Sequence, residues 1–133
     1  MPLSGDPSVP EPLRILREED FPDPLAPPSD AERAARRTDL LSRARTVRSH
    51  GWDDYRYTWS TGEVLAVALL LDDHKILAEC DETRDSVLRR WAYDLYGMRG
   101  GRTDVQAGCS QTGVWFRDTA AELAATASED RTR

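Results

Sequence analysis

The segment from residue 52 to residue 59 concentrates aromatic side chains around an arginine. Trp52, Tyr55 and Tyr57 accompany Arg56, and Trp59 closes the segment. Such residues are enriched among those that dominate protein interfaces, and aromatic rings also stack on nucleic-acid bases. They are equally good core fillers, in which case their alternation places Tyr55, Tyr57 and Trp59 on one side, over a helix. We predict an irregular connection here, although a short strand also fits the alternation.

A second candidate site is the glycine-rich, cationic stretch from residue 97 to residue 102. Glycine lets backbone amides approach an anion, and Arg99 and Arg102 add charge that could hold a phosphate or an acidic partner. The stretch lacks the Gly-Lys-Ser/Thr ending of a nucleotide-binding loop, and no strand is predicted before it. A mobile, solvated turn that follows a helix ended by Gly97 explains the same residues.

Few residues are available for catalysis or metal binding. His50 and His74 are the only histidines, and neither lies in a catalytic motif. Cys80 and Cys109 lack the paired two-residue spacing of a zinc site. We expect Cys80 to be a small buried hydrophobe, whereas the glycine-bounded segment around Cys109 is compatible with exposure. The sequence therefore predicts no catalytic residue, no metal ligand and no cofactor.

The elements that position these residues are predicted to be helices. All eight prolines fall within the first 28 residues, so nothing later removes a backbone donor from a helix. Capping-box patterns at Ser29 with Glu32 and at Ser60 with Glu63 predict two helix starts. The first helix extends to Ser49, and the second contains an apolar run at 64–71 that is buried on nearly every side.

Periodicity predicts three further helices. Apolar residues share one face in a short segment and in a longer one that Asp81 would cap, and an alanine-rich stretch follows near the end. We expect Gly108 and Gly113 to break helical structure between the last two. The predicted ranges are 74–80, 81–96 and about 117–127.

Composition divides the chain into an arm and a body. Residues 1–28 mix proline with acids and cannot bury enough apolar surface to order themselves, so we predict a disordered, acidic, proline-rich arm. One all-α domain, a compact bundle of about four main helices, is expected over 29–127, with a frayed tail at 128–133.

Net charge and cysteine content indicate which classes of partner and which cellular compartment fit this chain. Residues 1–30 hold seven acids and two arginines, a net charge of −5 of the total of −6, so the body is nearly neutral. This balance argues against wholesale attraction to nucleic acid or anionic membrane, although a local basic face remains allowed. The two cysteines favour a reducing cytoplasm, and the longest apolar run is shorter than the roughly 18–20 residues that span a bilayer.

The run Trp59-Ser60-Thr61-Gly62-Glu63-Val64-Leu65-Ala66-Val67-Ala68-Leu69 resembles a segment of small uncharacterised proteins of actinobacteria and their phages. The resemblance covers about a tenth of the chain. It implies a small helical accessory protein and carries over no site residue.

The leading hypothesis is a non-enzymatic helical adaptor or regulator that binds another protein. The alternative is a nucleic-acid-binding accessory protein that uses arginines of the first helix and the Arg99/Arg102 turn for phosphate contacts. An enzyme without a recognisable motif is the third. The predicted binding residues are Trp52, Tyr55, Arg56, Tyr57, Arg99 and Arg102.

Overall fold

The computed structural model describes the backbone of residues 26–132 and the side chains of residues 26–126. Within that range the chain forms helices and no strand, which confirms the predicted all-α bundle of four substantial helices with one short helix. None of the described helices is long and apolar enough to cross a membrane. The predicted arm lies outside the described residues, except for its last three. The helices are α1 (Asp30–His50), α2 (Thr61–Leu70), α3 (His74–Glu79), α4 (Arg84–Gln106) and α5 (Ser110–Thr132).

Both predicted capping boxes are present at the helix starts. The Glu32 amide donates to Ser29 Oγ at 3.1 Å, and the Ser29 amide donates to Glu32 Oε1 at 2.8 Å. These bonds from Ser29 stabilise the ionised carboxylate and lower the pKa of Glu32. Ser60 and Glu63 form the same reciprocal pair at the start of α2. Each box satisfies amides that have no partner inside the helix.

Helix α2 is the centre of the bundle, as its uniformly apolar sequence predicts. All seven residues from Val64 to Leu70 are buried, and α2 contacts each of the other four helices. A fully buried aliphatic side chain contributes about 1.5–3 kcal/mol, so this short helix is a main source of stability. Trp91 of α4 meets Phe116 of α5 edge to face beside it, with ring centroids 5.9 Å apart.

The start of α4 differs from the prediction. Thr83, not Asp81, caps the helix, because Thr83 has the extended backbone of an N-cap and exchanges hydrogen bonds with Ser86. Asp81 has a φ of 57° and belongs to the turn that follows α3. The predicted short helix at 74–80 is confirmed as α3.

Gly97 ends the first helical segment of α4 after Tyr96, as predicted, but a second helical segment follows it directly. Its φ of 80° and ψ of −177° lie in a non-helical region that essentially only glycine adopts, and helical geometry then resumes and continues to Gln106. The predicted mobile turn at 97–102 is therefore wrong. After the kink Gly101 packs so closely on the first half of the helix that an added Cβ would lie 2.8 Å from Tyr93 Cα. This close approach requires glycine and holds the second half in place.

Helix α5 begins at Ser110, seven residues before the predicted start, because buried Asp104 binds its first turn. The Asp104 carboxylate accepts hydrogen bonds from the amides of Gln111 at 2.8 Å and Thr112 at 2.9 Å, and from the Thr112 hydroxyl. The break falls at Gly108 and Cys109, which both have positive φ.

Two further details of α5 differ from expectation. Gly113 was expected to break a helix, but it lies buried inside α5. The helix also extends to Thr132, beyond the predicted end at 127. Fraying at 128–133 stays a prediction.

Candidate functional site

The connection between α1 and α2 is a series of tight turns. The Tyr55 and Arg56 amides each donate to Trp52 O at 2.8 Å, and the Trp59 amide donates to Tyr55 O at 3.1 Å. The predicted irregular connection is confirmed, but the expected one-sided alternation is wrong. Turns bring together residues three and four apart in the sequence, so Tyr55 stacks on Trp59 with their ring centroids 4.9 Å apart. Tyr57, in contrast, is 85% exposed.

A cleft of about 590 Å³ opens between these turns and α3. Aromatic and aliphatic side chains form part of its wall, and side chains of both charges form the rest. Its lining residues are Trp52, Asp53, Arg56, Tyr57, Asp73, Lys75, Ile76 and Glu79.

Asp73 joins the two walls of this cleft. Its Oδ2 accepts a hydrogen bond from Trp52 Nε1 at 2.9 Å, and its Oδ1 accepts one from the Ile76 amide at 3.2 Å. The second bond makes Asp73 the N-cap of α3, so one carboxylate both starts the helix and orients the indole. Trp52 also meets Trp59 edge to face, with ring centroids 6.4 Å apart. The aromatic wall is thus held in position before any ligand arrives.

Arg56 is fixed on the same side of the cleft. Its Nη2 donates to Cys80 Sγ at 3.3 Å, and its Nε lies 3.9 Å from Glu79 Oε1. The guanidinium sits over the Tyr57 ring, 4.8 Å from the ring centroid. Arg56 Nε is buried and makes no hydrogen bond among the described residues. Arg56 therefore stiffens the support beneath the exposed Tyr57 and retains one unused donor.

The cleft lies in an acidic part of the molecule. Seven carboxylates and two cations, Arg56 and Lys75, lie in the segments 53–56 and 72–82. Several of these carboxylates have partners within the fold: Asp73 binds Trp52, and Asp72 lies 3.0 Å from His74 Nε2. Others are exposed, and among them Asp53 is on the lining itself. The excess of negative charge favours a cationic ligand and disfavours a polyanion.

The structure brings together half of the six predicted binding residues. Trp52, Arg56 and Tyr57 line the cleft, whereas Tyr55 stacks on Trp59 and is not part of the lining. Arg99 and Arg102 are exposed on the second half of α4 and also lie outside it.

The sequence interpretation missed the contribution of α3 and its cap. The aspartate pair before the predicted short helix was the available signal, because an N-cap fixes a carboxylate at a helix start. The missed lining residues are Asp53, Asp73, Lys75, Ile76 and Glu79.

A smaller cavity of about 160 Å³ adjoins the junction of α4 and α5. Cys109 on its wall, which the sequence left open as buried or exposed, is buried, and burial raises the pKa of its thiol. A raised pKa lowers the thiolate fraction, so this cysteine is a poor nucleophile near neutral pH. Cys80 is only half-buried rather than fully covered.

Among the described residues, no group of three or more His, Cys, Asp or Glu side chains is arranged to hold a metal ion.

Comparison of the chain with protein-family models, curated proteins and solved structures found no match.

Proposed function

We propose that the protein is a non-enzymatic interaction module that binds a basic, partly apolar segment of another protein in the cleft between the 52–57 turns and α3. The observation that carries this proposal is Tyr57, a large aromatic side chain left 85% exposed and supported by the Arg56 guanidinium at the cleft rim. Exposed tyrosine beside arginine is the composition of interface hot spots.

The geometry of the cleft favours a polypeptide ligand. Trp52 and Ile76 offer apolar contact on its wall, and Tyr57 extends that contact to the rim. Trp52 is already oriented by its hydrogen bond to Asp73, so little conformational entropy is lost when a ligand packs on it. An aliphatic or aromatic side chain of the partner would pack against these groups.

The charge around the cleft selects the flanking residues of that ligand. Exposed carboxylates, with Asp53 on the lining itself, would pair with lysine or arginine on either side of the apolar anchor. The lining contains two cations, Arg56 and Lys75. Arg56 already contacts Glu79 and Cys80 within the fold. A nucleic acid would meet net repulsion here, so this cleft is a weaker candidate for the nucleic-acid hypothesis.

The experiment begins with capture of partners from a lysate of cells that produce the protein. Immobilised wild-type chain is compared with Tyr57→Ala and with Val114→Ala, a control that shortens another exposed apolar side chain on α5. A protein retained by the wild type and the control, but lost with Tyr57→Ala, is identified by mass spectrometry. Equal retention by all three chains would refute the assignment of the cleft.

Calorimetry with the purified partner then tests the chemistry. We expect Tyr57→Ala to weaken binding at least about tenfold, the effect of losing a hot-spot side chain. Affinity should fall as salt rises, because exposed carboxylates supply part of the attraction. A partner whose binding segment contains no lysine or arginine would contradict the proposal even if Tyr57 proved essential.

A further inference from the structure

Three arginines of α1 place their guanidinium groups over aromatic rings of the neighbouring helices. The guanidinium of Arg33 is 5.3 Å from the centroid of the Tyr96 ring, and that of Arg36 is 5.3 Å from that of Trp91. The guanidinium of Arg37 is 5.5 Å from the Trp115 ring centroid. Residues three and four apart share one side of a helix, so Arg33, Arg36 and Arg37 form a continuous arginine row.

The arginine row has unused capacity for anionic ligands. Stacking on a ring leaves the N–H groups at the edge of a guanidinium free to donate. Arg33 pairs with Asp30, but neither Arg36 nor Arg37 forms an ion pair with a carboxylate among the described side chains. Arg37 Nε is also buried without a hydrogen-bond acceptor in that part of the chain. The charges of Arg36 and Arg37 are therefore not neutralised by any carboxylate among residues 26–126.

The chain enters the folded body beside this row. Arg33 Nη1 donates to Pro28 O at 2.6 Å and to Leu95 O at 3.1 Å, which fixes the chain next to the first arginine. Pro27 lies against the kink of α4, where an added Cβ on Gly97 would be 3.0 Å from Pro27 Cα. Any segment that precedes residue 26 thus starts within a short distance of the arginine row.

The segment 18–23 has the complementary charge and sufficient reach. Its sequence, Glu-Glu-Asp-Phe-Pro-Asp, contains four acids and no cation, and it ends three residues before Ala26. The eight residue steps from Glu18 to Ala26 span at most about 26–29 Å when extended. Arg37 is one turn of α1, about 6 Å, beyond Arg33. The tether also gives the segment a high effective concentration at the row, on the order of millimolar for a short linker.

We propose that the acidic segment 18–23 of this chain docks on the arginine row, with its carboxylates bound to Arg36 and Arg37. The row would then be occupied from within the chain. External polyanions, including nucleic acid, would have to displace the segment before they could use these arginines. The interaction is separate from the cleft, with which it shares no lining residue.

Backbone ¹⁵N relaxation of the full-length chain tests this docking. At low salt we expect the heteronuclear NOE of residues 18–23 to approach that of the helices. In high salt it should fall to the low or negative values of an unattached chain end, called free-tail values below. The variant Glu18→Gln/Glu19→Gln/Asp20→Asn should show free-tail values at low salt too. Because this variant changes only the arm, the body signals report whether the helices stay intact. Free-tail values in the wild type at low salt would overturn the proposal.

Charge reversal locates the docking surface. We expect Arg36→Glu/Arg37→Glu to release the segment and the further change Glu18→Arg/Glu19→Arg to restore its ordering. Arg48→Glu is the control, because Arg48 is exposed on the same helix about 18 Å from Arg36. Ordering that survives the Arg36→Glu/Arg37→Glu change would refute the row as the docking surface. A random single-stranded oligonucleotide that shifts row signals while segment 18–23 is already free would favour the nucleic-acid hypothesis instead.

Discussion

Replacing Asp104 with asparagine removes the charge that holds the start of α5. The wild-type carboxylate is buried, with 4% of the residue exposed, and accepts bonds from the Gln111 amide and from both the amide and the hydroxyl of Thr112. Asparagine has nearly the same shape but only one acceptor oxygen. Its NH₂ group would face donors that need an acceptor, so at least one of the three bonds is lost.

The expected loss of stability follows from these bonds. A hydrogen bond to a charged group contributes about 1.5–3 kcal/mol, and a buried donor left without a partner costs about 1–3 kcal/mol. We therefore expect Asp104→Asn to lower the free energy of unfolding by about 2–4 kcal/mol at neutral pH. Asp94→Asn, which removes an exposed carboxylate from the same helix, should change it by less than about 0.5 kcal/mol.

The effect of the Asp104→Asn change depends on pH in a defined direction. Burial raises the pKa of Asp104, but the hydrogen bonds from Thr112 and Gln111 outweigh this effect and hold it below its usual value. A carboxyl group with a lowered pKa in the folded state stabilises the protein above its unfolded pKa of about 3.9. That stabilisation disappears as pH falls through the folded pKa. The stability difference between wild type and Asp104→Asn should therefore shrink below about pH 4.

Urea denaturation followed by helical circular dichroism measures this difference. Curves are recorded for wild type, Asp104→Asn and Asp94→Asn at neutral pH and at several acidic pH values. A difference below about 0.5 kcal/mol at neutral pH would refute the role given to the three hydrogen bonds. A difference that stays constant from pH 7 to pH 2 would refute the ionised state of Asp104.

Two other predictions concern packing and thiol chemistry. Gly101→Ala should lower stability by about 1–3 kcal/mol, because the new Cβ would lie 2.8 Å from Tyr93 Cα. Gly62→Ala, with nothing within 4 Å, should raise it by up to about 1 kcal/mol, and thermal unfolding of both variants checks the contrast. Cys109 should react with a thiol reagent only as fast as the protein unfolds, whereas half-buried Cys80 reacts in the native state. Equal native-state rates for the two thiols would contradict the burial of Cys109.

The sequence predicts the features of this fold that depend on local interactions. Ser29 with Glu32 and Ser60 with Glu63 act within one turn, so their patterns identify both helix starts. The apolar run in α2 also predicts its own position, because a helix that is apolar on every side is stable only when every side is buried. These signals were sufficient for the all-α class and for the central position of α2.

The prediction failed where contacts between distant residues decide the outcome. Gly97 interrupts the helix as predicted, but the residues after it are helical and not a turn, and Gly101 of that second segment packs on Tyr93. The start of α5 depends on Asp104, which lies in the preceding helix and shows no capping pattern with Thr112 at its eight-residue spacing. Neither contact has a signature in local sequence.

The candidate site was predicted in part for the same reason. The aromatic composition of 52–59 was compatible with both a binding surface and core packing; Trp52, Arg56 and Tyr57 line the cleft, whereas Tyr55 stacks on Trp59. Which of the tyrosines is exposed depends on the turns, and the second wall depends on the bond between Trp52 and Asp73, 21 residues apart in the chain.

Site-specific photo-crosslinking tests most directly the central claim, that the cleft binds a basic segment of another protein. A photoreactive phenylalanine derivative replaces Tyr57 in one chain and Met98, which is 55% exposed on α4, in a control chain. After irradiation in lysate of the producing cells, the position-57 chain should form an adduct whose attachment site lies beside lysine or arginine in the partner. The control should not form this adduct. An attachment site remote from basic residues, or the same adducts from both positions, would contradict the claim.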